Sequence, residues 1–217
     1  MRTAAGTLAA RERAALCDTF TEVGPDAPTL CSPWLTRDLA AHLVLRERRP
    51  DVAVGAWVPI LSERLERERR DLALTSLWSD LVEQVRSGPP PWHPAKIAAV
   101  DETLNGLEFF IHHEDVLRAQ PGVGRRTLDP ATEHGVWTGL KRTAKVLFRK
   151  MGAGLVLAAP GHGRIAVKGP SKGGSVTVTG TPGELALLAY GRGSHAEYDA
   201  RGSKPAIAAL QSAALGV

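Results

Sequence analysis

The sequence predicts an α+β protein in which a helical bundle precedes a small domain of strands and helices. Up to about residue 120 the apolar residues recur mostly at helical spacing. After that point, short runs rich in valine, threonine and leucine alternate with glycines, as strands and turns do. Between the two regions lies Pro121-Gly122-Val123-Gly124, a turn-forming segment of the kind found at domain boundaries. We therefore predict two domains, residues 1–122 and residues 123–217.

The composition is that of an ordinary soluble globular protein, with 217 residues of which 43% are hydrophobic and 23% are charged. The net charge of +4 is too small to predict a nucleic-acid partner, although it suits an acidic small substrate. The apolar runs, such as Leu185 to Tyr190, are too short to span a membrane. Two cysteines and the lack of a secretory start predict a cytoplasmic protein with reduced thiols.

Helical patterns account for the first part of the chain. An alanine-rich helix is predicted from Ala4 to Val23. The next helix should begin with Thr36 as its N-cap and Asp38 in its first turn, where the helix dipole favours a carboxylate. A further helical region starts at Trp57 and is predicted to break near Asp71. A proline-rich connector over residues 87–94 then precedes the helix that carries most of the reactive side chains.

That helix runs from about Ala95 or Asp101 to Gln120. Its apolar stripe of Leu104, Leu107 and Ile111 continues, by steps of three and four, through Glu108, His112 and Asp115. A carboxylate and an imidazole four residues apart lie one turn apart on one face, close enough to bind the same ion. Burying an unpaired carboxylate costs about several kcal/mol, so either a divalent metal or a buried Glu–His ion pair should compensate it. His113 lies about 100° around the helix and should flank this pair.

His42 is a second histidine on an inward helix face, because it shares that face with leucines and with Arg46. Alone it would be interpreted as a hydrogen-bonded core residue. Together with Glu108 and His112 it supplies two imidazoles and one carboxylate, the ligand set of a catalytic zinc site with one open position. Cys31 could approach this site from the preceding loop, although a structural role fits better. Cys17 is expected to be a small packed residue.

The second domain is predicted from caps and short strands. Asp129 and Pro130 should begin a helix that ends near Met151 and has a solvated basic face. Thr181 and Glu184 have the spacing of a capping box, at the start of a helix that ends at Tyr190. The predicted strands cover residues 155–159, 164–168, 175–179 and 197–201, and a last helix covers residues 205–215.

Arg192 follows this helix, between Gly191 and Gly193. A ligand could approach the backbone closely there, and a guanidinium group matches the geometry of a carboxylate. Arg192 is therefore a candidate anion clamp for a substrate carboxylate. A helix-end arginine that pairs with a backbone carbonyl is an equally good interpretation.

Several of these residues resemble the mycothiol-dependent maleylpyruvate isomerase family. The resemblance lies in Cys31-x-x-Trp34-x-Thr36 followed by Ala-Ala-His42, in Glu108-x-x-x-His112 with Asp115 after it, and in the segment from Thr181 to Arg192. It implies a DinB-like four-helix bundle followed by a small sterol-carrier-like domain. It also implies that His42, Glu108 and His112 bind zinc together with a water molecule. Within the family, the chain is most similar to a subgroup of metal-binding proteins without an assigned substrate.

The resemblance further implies a function as a thiol S-transferase or isomerase, with mycothiol as a thiol cosubstrate and a small electrophilic substrate. The alanine- and arginine-rich composition suits an actinobacterium, the usual home of mycothiol. Asp115 should hydrogen-bond a ligating histidine and orient its ring, with a weak fourth ligand as the alternative. Two other functions stay open, a structural or sensing metal centre without catalysis and a small-molecule carrier that uses the C-terminal domain.

Overall fold

The computed structural model describes residues 6–53 and 59–216. It divides into two compact units, Met1–Arg125 and Arg126–Val217. The described helices and strands confirm the predicted α+β class. The predicted helix starts at Ala4 and at Trp57 lie outside the described residues. In the described part of the chain, no helix combines the length and the apolar content needed to cross a bilayer.

The first unit is helical. Its core is formed by leucines, valines and aromatic side chains, including Leu16, Phe20, Leu39 and Phe109. The long helix over residues 98–117 packs along the helix over residues 8–23, and the helix over residues 36–48 packs on those over residues 59–75 and 78–87. The helices are α1 (Leu8–Val23), α2 (Thr36–Arg48), α3 (Pro50–Ala53), α4 (Pro59–Thr75), α5 (Trp78–Ser87) and α6 (Ala98–Leu117), with a 3₁₀ turn at Pro94–Lys96 before α6.

The predicted N-cap of α2 is wrong by one residue. Leu35 occupies the cap position, and its backbone N–H donates to Asp38 Oδ2 at 2.9 Å. The hydroxyl of Thr36 instead donates to the carbonyl of Gly24, the residue that ends α1, at 2.5 Å. Thr36 is fully buried there, so its hydroxyl satisfies a carbonyl at the end of one helix rather than an N–H at the start of the next.

The predicted break near Asp71 is also wrong, because α4 continues through Asp71 to Thr75. Asp71 is exposed and carries no steric feature that ends a helix. Two residues earlier, Arg69 is buried and pairs with Glu66 one turn before it and with Asp38 of α2. These ion pairs tie the middle of α4 to the bundle and favour its continuation.

The second unit places helices around a four-stranded sheet with the strand order β2-β1-β3-β4. The β1–β3 pair is parallel, and the β1–β2 and β3–β4 pairs are antiparallel. Asp129 caps the first helix of this unit by accepting from the N–H groups of Ala131 and Thr132, as predicted. The elements are α7 (Pro130–Leu147), β1 (Gly154–Ala159), β2 (Gly163–Lys168), β3 (Ser175–Thr179), α8 (Pro182–Ala189), β4 (Asp199–Gly202) and α9 (Lys204–Ser212).

Thr181 is the N-cap of α8, but its side chain makes no capping hydrogen bond, so the predicted capping box is wrong. The Glu184 side chain is buried, and its Oε2 accepts a hydrogen bond of 2.8 Å from the backbone N–H of Glu197. Burial explains why Glu184 bonds to Glu197 and not within the first turn of α8. A buried carboxylate needs hydrogen-bond donors, and the segment before β4 provides one.

Candidate metal centre

The middle of α6 is enclosed by the bundle, since nearly every residue from 105 to 116 is buried. The exception is Glu108, which is half-buried. Leu104, the first residue of the predicted stripe, precedes this segment and is 52% exposed, so the inward stripe does not begin there. Beyond it, Leu107 and Ile111 are buried as predicted. Steps of one turn along α6 then bring the side chains of Glu108 and His112 to the side that faces α2.

The three predicted metal ligands lie together between α2 and α6. His112 Nε2 is 3.2 Å from Glu108 Oε1, and His42 Nε2 is 3.8 Å from the same oxygen. The imidazole rings of His42 and His112 are 5.6 Å apart between centroids, in an edge-to-face arrangement. One ligand atom from each residue lies within 4.8 Å of the other two. The structure therefore brings the predicted donors together, and their binding of a metal stays a prediction.

Arg46 is a member of this cluster to which the sequence pattern assigned no role. Its Nη1 is 3.2 Å from Glu108 Oε1, and its Nη2 donates to the backbone carbonyl of Leu104 at 3.1 Å. Arg46 lies one turn after His42 on α2. This spacing was the sequence feature from which its position beside the cluster could have been predicted. Its charge compensates the Glu108 carboxylate, which the sequence analysis expected a metal or a histidine to do.

The cluster shifts the pKa values of His42, Glu108 and His112. Burial lowers the pKa of His42 and outweighs the opposing effect of Glu108. Burial would raise the pKa of Glu108, but the charge of Arg46 and hydrogen bonds to both histidines hold it well below its ordinary value. Burial would lower the pKa of His112, but hydrogen bonds to Asp115, Cys31 and Glu108 raise it well above its ordinary value.

Asp115 holds the other nitrogen of the His112 ring. It is fully buried, and its Oδ2 lies 3.0 Å from His112 Nδ1. Glu108 faces Nε2 of the same ring, so Asp115 is on the side of the imidazole away from the candidate ion. This is the geometry of a carboxylate that orients a ligating histidine. The role of Asp115 as the orienting partner of a ligating histidine stays a prediction.

Cys31 meets the same carboxylate from the loop that precedes α2. Its thiol donates to Asp115 Oδ2 at 3.0 Å, and its Sγ lies 3.8 Å from His112 Nδ1. The loop is fastened to α6, because the N–H of Leu30 donates to the backbone carbonyl of Asp115 at 3.0 Å. The Cys31 sulfur thus lies next to Asp115 and on the Nδ1 side of His112. The sequence placed Cys31 in the loop before α2 but did not indicate its contact with Asp115.

Trp34 packs against His42, with 5.2 Å between the ring centroids. The guanidinium of Arg69 lies over the Trp34 ring, 4.8 Å from its centroid. Arg69 in turn pairs with Asp38 and with Glu66, and hydrogen bonds from Arg69 lower the pKa of Glu66 to about 2. This stack of ion pair, indole and imidazole restricts the orientation of the His42 ring.

His113 points away from the candidate metal centre. Its Nδ1 is 2.9 Å from Glu12 Oε2, and its Nε2 is 3.0 Å from Thr19 Oγ1, both on α1. These contacts agree with the prediction that His113 flanks the Glu108–His112 pair. Cys17 is fully buried, as expected of a packed residue, and burial raises the pKa of its thiol to about 11.

Arg192 lies in the second unit. Its Nη1 donates to the backbone carbonyl of Tyr190 at 2.5 Å, and its backbone N–H donates to the carbonyl of Leu187 at 2.8 Å. The first contact is the one expected of a helix-end arginine that pairs with a carbonyl. The role of Arg192 as an anion clamp stays a prediction.

The fold has a counterpart among solved structures. A crystal structure of a mutant of the mycothiol-dependent maleylpyruvate isomerase is similar to this chain, with a TM-score of 0.59 over 91% of each chain. The two sequences are 16% identical, so this similarity shows a shared fold. No protein-family model and no curated protein sequence matches the chain.

Proposed function

We propose that this protein is a metal-dependent enzyme of the mycothiol-dependent maleylpyruvate isomerase type, and that His42, Glu108 and His112 hold its divalent cation. The observation that carries the proposal is the convergence of these three side chains, from two helices, on one point. The shared fold with a mycothiol-dependent isomerase supports the same interpretation.

The chemistry of the donors fits zinc. Two neutral imidazoles and one carboxylate are a common ligand set of catalytic zinc and leave a fourth position open. Nickel and iron accept similar ligands, so the preference for zinc rests on ligand type. Glu108 suits the role because its lowered pKa keeps it anionic at neutral pH. Asp115 suits the role of orienting partner because it contacts Nδ1 of His112 and leaves Nε2 directed toward Glu108.

A bound cation with an open position would lower the pKa of a coordinated thiol and supply a thiolate near neutral pH. We propose mycothiol as that thiol, and S-transfer to a small electrophile or thiol-assisted isomerisation as the reaction. Trp34 keeps the His42 ring in place, and Arg46 holds the Glu108 carboxylate against α2. Arg192, in the second unit, stays a proposed anion clamp, so Arg192→Gln should weaken the binding of an anionic ligand and leave the metal content unchanged.

A closed metal centre without catalysis is the second candidate, because Cys31 is close enough to His112 to be considered as a ligand. The position of its sulfur argues for the open site. Cys31 Sγ approaches the Nδ1 side of the ring, whereas Glu108 Oε1 faces Nε2. An exogenous thiol therefore has the fourth position available to it under the proposed function.

Metal content and thiol uptake test the proposal together. The wild-type protein should retain about one zinc per chain, and His42→Ala should lose it, whereas His113→Ala is the matched control that should keep it. Cobalt-loaded Cys31→Ser protein should then gain a thiolate-to-cobalt absorption band when mycothiol is added. Undiminished zinc content in His42→Ala would refute the site. If added thiol does not change the cobalt absorption spectrum, the protein would have a metal centre without the proposed activity.

A further inference from the structure

The two ring nitrogens of His112 face two different sets of donors. Nε2 is directed toward Glu108 Oε1, the oxygen that His42 Nε2 also approaches. Nδ1 is directed toward Asp115 Oδ2 at 3.0 Å and Cys31 Sγ at 3.8 Å. The first set contains only nitrogen and oxygen donors, whereas the second contains a sulfur.

We propose that Cys31, Asp115 and Nδ1 of His112 form a second cation subsite, selective for a thiophilic divalent cation such as Cd²⁺. Thiolate is the soft ligand that such cations prefer, and a carboxylate and an imidazole complete a mixed set of three. The three ligand atoms lie within 4.8 Å of one another. The proposal does not depend on the metal proposed for the Nε2 side, since His42 and Glu108 take no part in it.

The distances are close to those of a bound ion. A tetrahedral zinc ion, about 2.3 Å from sulfur and about 2.0 Å from an imidazole nitrogen, holds these two atoms roughly 3.5 Å apart, and the larger Cd²⁺ holds them further apart. The separation of Cys31 Sγ and His112 Nδ1 is 3.8 Å. The two contacts of Asp115 Oδ2, both 3.0 Å, are hydrogen-bond distances that must lengthen by roughly half an ångström when a cation replaces the shared protons.

The loop that carries Cys31 is held in place before any ion binds. The N–H of Cys31 donates to Thr29 Oγ1 at 3.1 Å, and that hydroxyl donates to the carbonyl of Trp34 at 2.8 Å. The N–H of Leu30 is bonded to the carbonyl of Asp115. One backbone hydrogen bond and two bonds through the Thr29 hydroxyl therefore hold the loop and keep the sulfur next to the carboxylate, which reduces the ordering cost of binding.

The two subsites share His112, so they should exclude each other. A neutral imidazole has a single nitrogen lone pair, and its other nitrogen carries the proton. An ion at Nε2 leaves the N–H at Nδ1, where it donates to Asp115. An ion at Nδ1 moves the N–H to Nε2, where it donates to Glu108. A thiophilic cation on the Cys31 side thus removes one ligand from the ion on the His42 side.

A cadmium titration of the full-length protein tests the proposal, with the ultraviolet thiolate-to-cadmium charge-transfer band as the signal. The wild-type protein should develop the band at about one cadmium per chain. Cys31→Ser should abolish the band, and Asp115→Asn should weaken cadmium binding by about 10–100-fold. Glu108→Gln and His42→Ala should both keep the band. Cys17→Ala is the control for the other cysteine and should also keep it.

Zinc retention should show the opposite dependence on these variants, because it should persist in Cys31→Ser and be lost in His42→Ala. The two measurements therefore distinguish an error in the cadmium subsite from an error in the zinc site. In cobalt-loaded wild-type protein, added cadmium should release cobalt as the band rises. The proposal is overturned if no band forms, if the band survives Cys31→Ser, or if it depends on Cys17. A band that is lost in both Cys31→Ser and His42→Ala would mean one mixed site and would overturn it as well.

Discussion

His112 and His113 are neighbours in α6, yet they belong to two different polar clusters. His112 contacts two carboxylates of its own helix, the His42 ring of α2 and the Cys31 thiol of the preceding loop. One of these carboxylates, Glu108, also pairs with Arg46 of α2. His113 faces α1, where it contacts the Glu12 carboxylate and the Thr19 hydroxyl. Both rings are buried, and both have a carboxylate on Nδ1 at about the same distance.

The difference lies in what each ring meets through its second nitrogen. Nε2 of His113 meets a hydroxyl, so Glu12, His113 and Thr19 form a satisfied hydrogen-bonded chain in the core. Nε2 of His112 meets the carboxylate of Glu108, which also faces His42. A buried histidine whose partners are one carboxylate and a hydroxyl, such as His113, is a core residue. His112 is a candidate metal ligand because a second carboxylate and a second imidazole also converge on it.

The largest expected effect is on metal binding. His112→Ala should reduce zinc affinity by more than about 100-fold, because it removes a ligand rather than an orienting partner. His113→Ala should leave the metal content unchanged. Equilibrium dialysis with metal analysis measures both, and circular dichroism should verify that each variant folds. Equal losses in the two variants would erase the distinction between the two histidines.

The next largest effect should appear in stability, on the His113 side. Glu12→Ala leaves the buried His113 ring without its carboxylate partner, and an unmet buried polar group costs about 1–3 kcal/mol of unfolding free energy, or more where the lost partner is charged. Thr19→Val, which removes one hydroxyl, should cost about 1–3 kcal/mol. Urea denaturation measures both. Metal content per folded chain should not change in either variant, and a parallel loss of metal would show that the two clusters are coupled.

A smaller effect is expected from Asp115→Asn on the His112 side. The amide preserves the size of the side chain but weakens the bond that orients the imidazole, so zinc affinity should fall by about 10–100-fold. A competition titration against a chromophoric chelator would measure this change. Wild-type affinity in Asp115→Asn would make the residue structural only.

The pH dependence of metal binding should give the most gradual effect. Against the effect of burial, hydrogen bonds to Asp115, Cys31 and Glu108 raise the pKa of His112 well above its ordinary value, so the ring holds its second proton more tightly than a free imidazole. Zinc must displace that proton, and its apparent affinity should therefore rise by about tenfold per pH unit up to the raised pKa and then level off. Asp115→Asn removes one of the partners that raise this pKa, so its plateau should begin at lower pH. A pH-independent affinity between pH 6.5 and 7.5 would contradict the expectation.

Much of the fold could be predicted because it depends on local patterns. The three strands of residues 155–159, 164–168 and 175–179 were predicted within one residue of their ends, since short apolar or β-branched runs between glycine-rich turns define them. The cap at Asp129 was predicted because the Asp-Pro pair acts within its own first turn. The cap at Thr36 was predicted wrongly, because a carbonyl at the end of another helix competed for its hydroxyl.

The candidate site divides in the same way. Helical periodicity by itself placed Glu108, His112 and Asp115 on one stripe of α6, and put His42 on the inward face of another helix. The packing of α2 and its preceding loop against α6 decided the rest: that Arg46 pairs with Glu108, that Cys31 reaches Asp115, and that each nitrogen of His112 has its own partners. Periodicity states which way a side chain points along its own helix. Which side chain of another segment it meets depends on contacts between elements far apart in sequence, and only the tertiary structure contains those.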